Sequence, residues 1–250
     1  MKTYIISLKN SDERRRSISA QAATHALDYE FIDAVNGREI PANVINFLRK
    51  KESYAITPGE IGCSMSHLIA YEKLLHSGDE HALILEDDVI IPANIHICLE
   101  DLAAHINPNK PYVCLLSKVN QYNKKPLIRL TENNALHQVY NAAFSHAYVI
   151  NRKAAQNLVD NLFPIWCVAD QWSTFKDFGH IHLLGVIPAC INTHPEFEKI
   201  TTIADRDGTA IQRQKKQAWK AIYANRPLKE KIKKALHLLF KRPFIDIVKH

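Results

Sequence analysis

The sequence predicts an α/β fold in which a Rossmann-type mixed sheet is flanked by helices and followed by a basic amphipathic helix. The first half of the chain alternates short apolar runs with segments of helical periodicity, as α/β sandwiches do. One run, residues 82–85, is uninterrupted, which favours a strand buried on both faces. The length of 250 residues fits a large domain with an appendage, which we place at residues 1–212 and 213–250.

Charge is divided unevenly between these two parts. Residues 213–250 contain 12 Lys and Arg but only 2 Asp and Glu, whereas residues 1–212 are mildly acidic. A nucleic-acid-binding domain would carry its basic surface on the folded body, so we expect no nucleic-acid partner. No apolar run approaches the ~18 residues that cross a bilayer, and the five cysteines form no CxxC pair. These features predict a cytoplasmic protein with reduced thiols.

Several elements have clear boundary signals. Residues 3–8 predict a first strand, and residues 29–35 predict a second one before a turn. Thr57, Pro58 and Glu60 are typical of a helical capping box with proline at the first helical position. Residues 112–116, 146–150 and 181–187 predict further strands, while residues 118–138 predict a loop with a weak hairpin tendency.

Three consecutive carboxylates, Glu86, Asp87 and Asp88, follow the buried run. Ligands bind at the carboxyl ends of strands in α/β sheets, so a ligand should reach these side chains. Adjacent carboxylates repel one another unless a positive group lies between them. A hard cation, Mg²⁺ or Mn²⁺, held by one or two carboxylates and by substrate phosphates would satisfy them. The alternative is a plain acidic turn after a strand.

The basic tail has its own pattern. Leu228, Ile232, Leu236, Leu239 and Phe240 recur at helical spacing, and lysines occupy most of the other positions. A basic amphipathic helix is typical of a protein that binds an anionic membrane surface. The alternative is a helix that packs back on the domain with its basic side in solvent.

Taken in order, the motifs of the chain resemble glycosyltransferase family 25, the lipopolysaccharide and lipooligosaccharide galactosyltransferase type. The resemblance begins with the strand over residues 4–8 and Arg14, and continues through residues 31–37. Its most specific part is residues 59–67 (GEIGCSMSH) followed by residues 83–88 (LILEDD). Residues 147–150 and 168–170 resemble later landmarks, although Val-Ala-Asp stands where the family usually has Val-Asp. The resemblance covers roughly residues 3–200.

This resemblance implies a GT-A fold, a nucleotide-sugar donor and a divalent metal, Mn²⁺ or Mg²⁺, held by a DxD-type motif of which residues 86–88 are a variant. It also implies inverting transfer of galactose from UDP-galactose to the outer core of a lipooligosaccharide or lipopolysaccharide acceptor. Such an acceptor is assembled at the cytoplasmic face of the inner membrane, where the basic tail would hold the enzyme as a peripheral protein.

The resemblance and the strand ends together suggest residue roles at the donor. Asp88 is the expected metal ligand, because the last acid of such motifs usually binds the ion. Arg14 is suited to phosphate, and the alternative is a solvated arginine. His67 is as consistent with a core histidine as with a donor contact. The expected donor-binding residues are Ser7, Leu8, Arg14, Asp33, Ser64, His67, Glu86 and Asp87.

Two later residues complete the expected site. Asp170 lies between Trp166 and Trp172, and aromatic walls beside an acid suit a sugar pocket, so we expect Asp170 to be the general base. Its alternative role is a helix N-cap. His194 follows the last strand and is a second candidate metal ligand, although thirteen histidines are scattered along the chain.

Two other functions are compatible with the same residues. One is a transferase for another UDP-sugar, glucose or N-acetylglucosamine, since small changes in pocket shape alter sugar specificity. The other is a non-catalytic adaptor that keeps the fold and binds a membrane surface through its tail. Retention of all three acids favours an enzyme over the adaptor.

Overall fold

The computed structural model of the chain describes residues 1–198 and 208–250; residues 199–207 of the predicted domain lie outside that description. The strands are β1 (Lys2–Ser7), β2 (Tyr29–Asp33), β3 (His81–Glu86), β4 (Val89–Ile90), β5 (Tyr112–Leu115), β6 (Gln121–Asn123), β7 (Ile128–Arg129), β8 (Ala135–Asn141), β9 (Ala147–Asn151), β10 (His182–Ile187), β11 (Asn192–Thr193) and β12 (Ile247–Lys249). The α-helices are α1 (Asp12–Thr24), α2 (Ala42–Leu48), α3 (Pro58–His76), α4 (Ile95–His105), α5 (Arg152–Leu162), α6 (Trp172–Asp177), α7 (Pro195–Glu198), α8 (Thr209–Ala224) and α9 (Leu228–Leu236).

A large mixed sheet forms the centre of the molecule, with the strand order β12-β6-β8-β10-β5-β9-β3-β1-β2. β1 runs parallel to both β2 and β3, and β5 runs parallel to β10, whereas β9 is antiparallel to both of its neighbours, β3 and β5. This architecture confirms the predicted α/β class with a mixed sheet flanked by helices. The carboxyl ends of β1 and β3 lie side by side, and the amino end of β9 joins them there.

The central strands are apolar throughout because helices cover both faces of the sheet. In β3, Ala82 and Ile84 pack into the core under α3 and α5, while Leu83 and Leu85 pack into the core under α1 and α4. All four side chains are fully buried. The uninterrupted run of the sequence is therefore a two-faced strand, since neighbouring residues of a strand point to opposite sides.

Helix α3 carries the predicted capping box and lies close to the end of β2. The Thr57 hydroxyl accepts a hydrogen bond from the backbone N–H of Glu60, whose carboxylate accepts one from the N–H of Thr57. Gly37 and Gly62 allow this approach: a Cβ at Gly37 would lie 1.7 Å from a backbone oxygen of Pro58, and one at Gly62 would lie 2.4 Å from that of Val35. The helix thus presents its middle turns to the ends of the strands.

Residues 118–138, which the sequence predicts to be a loop, contain the strands β6 and β7 and the start of β8. These strands are short and polar, so the sequence lacks the continuous apolar pattern by which strands of the outer sheet could be predicted. His137 is buried, yet its Nδ1 lies 2.7 Å from the carbonyl oxygen of Asn123, so the polar ring is satisfied inside the hairpin.

The C-terminal segment returns to the body in two places. α8 adds Ala218 and Ile222 to the main core, and its Lys215 forms a buried ion pair with Glu60 at the start of α3. β12 pairs antiparallel with β6. Between them, α9 buries none of its residues. No helix in residues 1–198 or 208–250 is long and apolar enough to cross a bilayer.

The buried Lys215–Glu60 pair gives a stability prediction. Lys215→Ala leaves the Glu60 carboxylate buried without its cation, and breaking such a pair costs about 3–5 kcal/mol. We expect the free energy of unfolding, measured by urea denaturation, to fall by about 3 kcal/mol. Lys216→Ala, an exposed neighbour on the same helix, should change it by less than about 0.5 kcal/mol. Equal effects of the two substitutions would contradict the role of the pair.

Candidate active site

A cavity of about 580 Å³ opens where the carboxyl ends of β1 and β3 meet the amino end of β9. Its walls come from the loops after β1, β2 and β5, from the loop before β9, and from residues 168–170 before α6. Five acidic residues line the cavity, Glu60, Glu86, Asp87, Asp88 and Asp170, together with the basic residues Arg14, Arg38 and Lys118. The site therefore lies where α/β sheets bind ligands, and acids outnumber bases in its lining.

Glu86 and Asp88 converge on a histidine that precedes β9. The Nδ1 of His146 lies 3.2 Å from an Asp88 carboxylate oxygen and 3.6 Å from one of Glu86. One ligand atom from each of these three residues lies within 4.8 Å of the other two. Two carboxylates and an imidazole are ligands of divalent cations, so this set fits the metal that the family resemblance implies.

Asp87 points the other way, towards β1 and α1. The Ser7 hydroxyl donates to one Asp87 oxygen at 2.6 Å, and the Arg14 guanidinium donates to the other at 3.2 Å. Burial raises the pKa of Asp87, and the bonds from Ser7 and Arg14 partly oppose this rise. The contact holds Arg14 at the cavity wall, with its guanidinium 5.1 Å from the centre of the Phe197 ring.

The buried ring of His67 lies beside Glu86 and is itself held by the buried Tyr148. His67 lies 3.6 Å from a Glu86 oxygen through Nε2, and its Nδ1 is 2.7 Å from the hydroxyl of Tyr148. The Ser145 hydroxyl donates to the same Glu86 oxygen at 2.5 Å. Burial would raise the pKa of Glu86, but the nearby His67 ring and the charge of His146 outweigh it and lower the pKa to about 2. Glu86 is therefore an ionised acceptor at neutral pH.

Asp170 occupies the opposite wall, on a turn immediately before α6. The N-cap position of that helix belongs to Gln171, whose side chain makes no capping bond, so Asp170 is not the N-cap. Trp172 is fully buried and donates from Nε1 to the carbonyl of Phe144 at 2.9 Å. This bond joins the Asp170 turn to the loop that carries His146, whose pKa the charge of Asp170 helps to raise.

The cavity includes most of the expected site residues but not all of them. Asp33 is exposed at the end of β2 and pairs with Arg15. Ser64 is buried and donates to the carbonyls of Glu60 and Cys167, so it braces the turn before Asp170. Neither residue lines the cavity. The expected residues that do line it are Ser7, Leu8, Arg14, His67, Glu86, Asp87, Asp88 and Asp170.

His194, the second candidate metal ligand, is replaced in the cluster by His146, which the sequence analysis did not single out. The His194 backbone N–H donates to the Asp88 carbonyl, but its ring packs on Phe197 and is not part of the cation-type cluster among the described residues. His146 takes that place. The sequence signal for His146 was weak, because only the register between β3 and β9, in which Glu86 N–H donates to the His146 carbonyl, brings it beside the acids.

Comparison with known proteins gives a consistent family. The model of "Glycosyltransferase family 25 (LPS biosynthesis protein)" matches residues 1–172. The lipooligosaccharide biosynthesis protein lic2B of Haemophilus influenzae is 25% identical over 170 residues, 62% of this chain and 61% of that protein. A second H. influenzae protein is 24% identical over 182 residues, 71% of this chain and 64% of its own length. Human inactive glycosyltransferase 25 family member 3 is 28% identical over 116 residues, 43% of this chain and 20% of that protein.

In each of these pairs the matched region spans less than two thirds of the relative's length. The family match itself covers more than half of the present chain and includes the strand ends, α3, the three acids and Asp170. The chain therefore belongs to glycosyltransferase family 25, whose description names lipopolysaccharide biosynthesis.

Proposed function

We propose that this protein is an inverting, metal-dependent glycosyltransferase that moves galactose from UDP-galactose to the outer core of a lipooligosaccharide or lipopolysaccharide. The observation that carries the proposal is the cluster of Glu86, Asp88 and His146 at the strand ends, in a cavity that Arg14 and Asp170 also line. A purely structural relative has no need to keep Glu86, Asp87, Asp88 and Asp170 in one cavity, where their carboxylates repel each other.

The donor diphosphate requires positive charge, because it leaves as UDP. Asp88, His146 and Glu86 would hold a divalent cation, which when bound supplies Lewis-acid stabilisation of the leaving phosphate. Arg14, fixed by Asp87, can add a charged hydrogen bond to a phosphate oxygen. The ends of β1 and β2 would receive the nucleoside, as the ends of parallel strands do in related α/β folds.

The acceptor hydroxyl must lose a proton as its oxygen attacks the anomeric carbon. Asp170 is the proposed general base: its carboxylate accepts that proton while the bond from the sugar to the UDP oxygen breaks on the opposite face. Attack opposite the leaving group inverts the anomeric configuration. A transferase for UDP-glucose or UDP-N-acetylglucosamine would use the same groups, so sugar identity depends on pocket shape.

A donor panel tests the reaction and its metal. With Mn²⁺ and a deacylated lipooligosaccharide core, we expect UDP release to be fastest from UDP-galactose and to stop in EDTA. Calorimetric titration of the protein with Mn²⁺ should show affinity at least ~10-fold weaker in Asp88→Asn and His146→Ala, because each loses a ligand. His194→Ala should stay within about two-fold of the unmodified protein. Full activity in EDTA would exclude the metal role.

The role of Asp170 is tested separately. Asp170→Asn should lower kcat by ~10²–10⁴-fold, the usual contribution of a positioned base, while calorimetry shows unchanged affinity for UDP. Asp160→Asn, an exposed aspartate on α5, is the matched control and should keep full activity. Loss of UDP binding together with activity would assign Asp170 to the donor site or to the fold instead.

We also propose that the basic tail binds an anionic membrane surface, which would make the enzyme a peripheral protein on the cytoplasmic face of the inner membrane. α9 and the turns after it expose large apolar side chains next to lysines. Leu239 and Phe240 are 69% and 68% exposed, and Phe244 is 87% exposed. The segment is nevertheless tied to the body, because β12 pairs with β6 and Lys234 forms an ion pair with Asp177. Apolar groups beside cations match a lipid headgroup region.

Liposome co-sedimentation of the full chain tests this surface. The double substitution of Leu239→Ser and Phe240→Ser removes two exposed apolar groups and should sharply reduce binding to vesicles that contain phosphatidylglycerol. Phe47→Ser, which changes an exposed side chain of α2, should bind like the unmodified protein. Binding should weaken as salt rises, since screening removes the attraction of the lysines. The assignment is wrong if the double variant and Phe47→Ser bind these vesicles equally. It is also wrong if the unmodified protein binds neutral vesicles as well as anionic ones.

A further inference from the structure

Phe144 has an unusual conformation and position at the mouth of the cavity. Its φ is 77°, in the left-handed region that residues other than glycine seldom occupy. The side chain lines the cavity and is 51% exposed, so its ring is accessible to a ligand. A strained backbone that displays an apolar ring at a functional site calls for a functional explanation.

The surrounding structure holds this conformation from several sides. Trp172 donates to the Phe144 carbonyl, and the backbone N–H of Ala143 donates to the side-chain oxygen of Asn120 at 3.1 Å. The Phe144 ring stacks on the imidazole of His146, with 5.4 Å between ring centres and 29° between planes. The ring is therefore presented rigidly, which lowers the entropic cost of binding something against it.

A second unexplained group lies in the same cavity. The hydroxyl of Ser117, just after β5, is buried and has no hydrogen-bond partner among residues 1–198 and 208–250. Buried hydroxyls are normally satisfied, so an orphan one in a cavity points to a ligand that completes it. Ser117 is 6% exposed and belongs to the cavity lining together with Phe144 and Asp170.

The sheet order indicates which substrate these two residues meet. β1 and β2, with Arg14 near their ends, lie on one side of the acid-bearing β3, whereas β9 and β5 lie on the other. Phe144 precedes β9 and Ser117 follows β5, so both are on the side away from the proposed nucleotide site. An aromatic face packs against the C–H face of a sugar ring, and a lone hydroxyl pairs with a sugar hydroxyl.

We propose that Phe144 and Ser117 form the subsite for the terminal sugar ring of the acceptor. The ring of Phe144 supports the apolar face of a hexopyranose, and Ser117 exchanges a hydrogen bond with one of its hydroxyls. The subsite places that sugar beside Asp170, the proposed base. This assignment rests on the proposed transferase function, but it makes a binding claim that can be measured without catalysis.

The test uses variants that keep the backbone intact. Phe144→Gly removes the ring and suits the positive φ, so the loop should keep its shape. Phe144→Tyr keeps the aromatic face. Ser117→Ala removes a hydroxyl that bonds to no other group in the part of the chain that the structure describes, so it should not lower the melting temperature. Phe47→Ala, an exposed aromatic that does not line the cavity, is the control.

Binding of deacylated lipooligosaccharide core and of lactose is measured by calorimetry in the presence of UDP and Mn²⁺. We expect affinity to fall ~10-fold in Phe144→Gly, the loss of one good aromatic contact, and about 5-fold in Ser117→Ala. Phe144→Tyr and Phe47→Ala should bind like the unmodified protein, and UDP affinity should be unchanged in all four.

Other outcomes separate the two proposals. Weaker UDP or Mn²⁺ binding with unchanged sugar binding would assign Phe144 to the donor or to His146 and overturn the subsite. Absence of sugar binding by the unmodified protein would also overturn it. If the sugars bind and the variants weaken them while no donor in the panel is turned over, the subsite stands and the proposed transferase reaction fails.

Discussion

Repulsion among three adjacent carboxylates is the constraint around which the centre of this fold is arranged. The chain resolves it by sending the side chains in different directions from the end of β3. Asp87 turns to Ser7 and Arg14 on the β1 side, while Glu86 and Asp88 turn to His146 on the β9 side. Each acid obtains a positive or hydrogen-bonding partner only because β3 lies between β1 and β9. The order of the strands therefore determines which partner each of the three acids has.

The sequence was sufficient to predict those features that depend only on residues close together in the chain. The capping box at Thr57 and the two-faced strand over residues 82–85 were predicted from residue types alone, and both are present. The mixed α/β class and the family were also predicted correctly, since they depend on the order of such signals. The place of the acids at a strand end followed from the same reasoning, whereas their metal and catalytic roles remain predictions.

What the sequence did not reveal depends on pairing between distant segments. His146 joins the acids through the register of β9 on β3, and nothing near position 146 indicates that register. Residues 118–138 were predicted to be a loop because short polar strands on the outer sheet lack a continuous apolar pattern. Likewise, Ser64 shares a helix with His67, yet it faces the turn at Cys167 while His67 reaches Glu86.

The charges around His146 oppose the effect of its burial. Burial would lower the pKa of His146, yet its hydrogen bond to Asp88 and the charges of Glu86, Asp88 and Asp170 raise it instead. The acids therefore draw a proton onto the imidazole when no stronger cation is present. A divalent cation needs the same nitrogen without its proton, so proton and metal compete for one position. A cation at the proposed site would therefore take the place of a proton on His146.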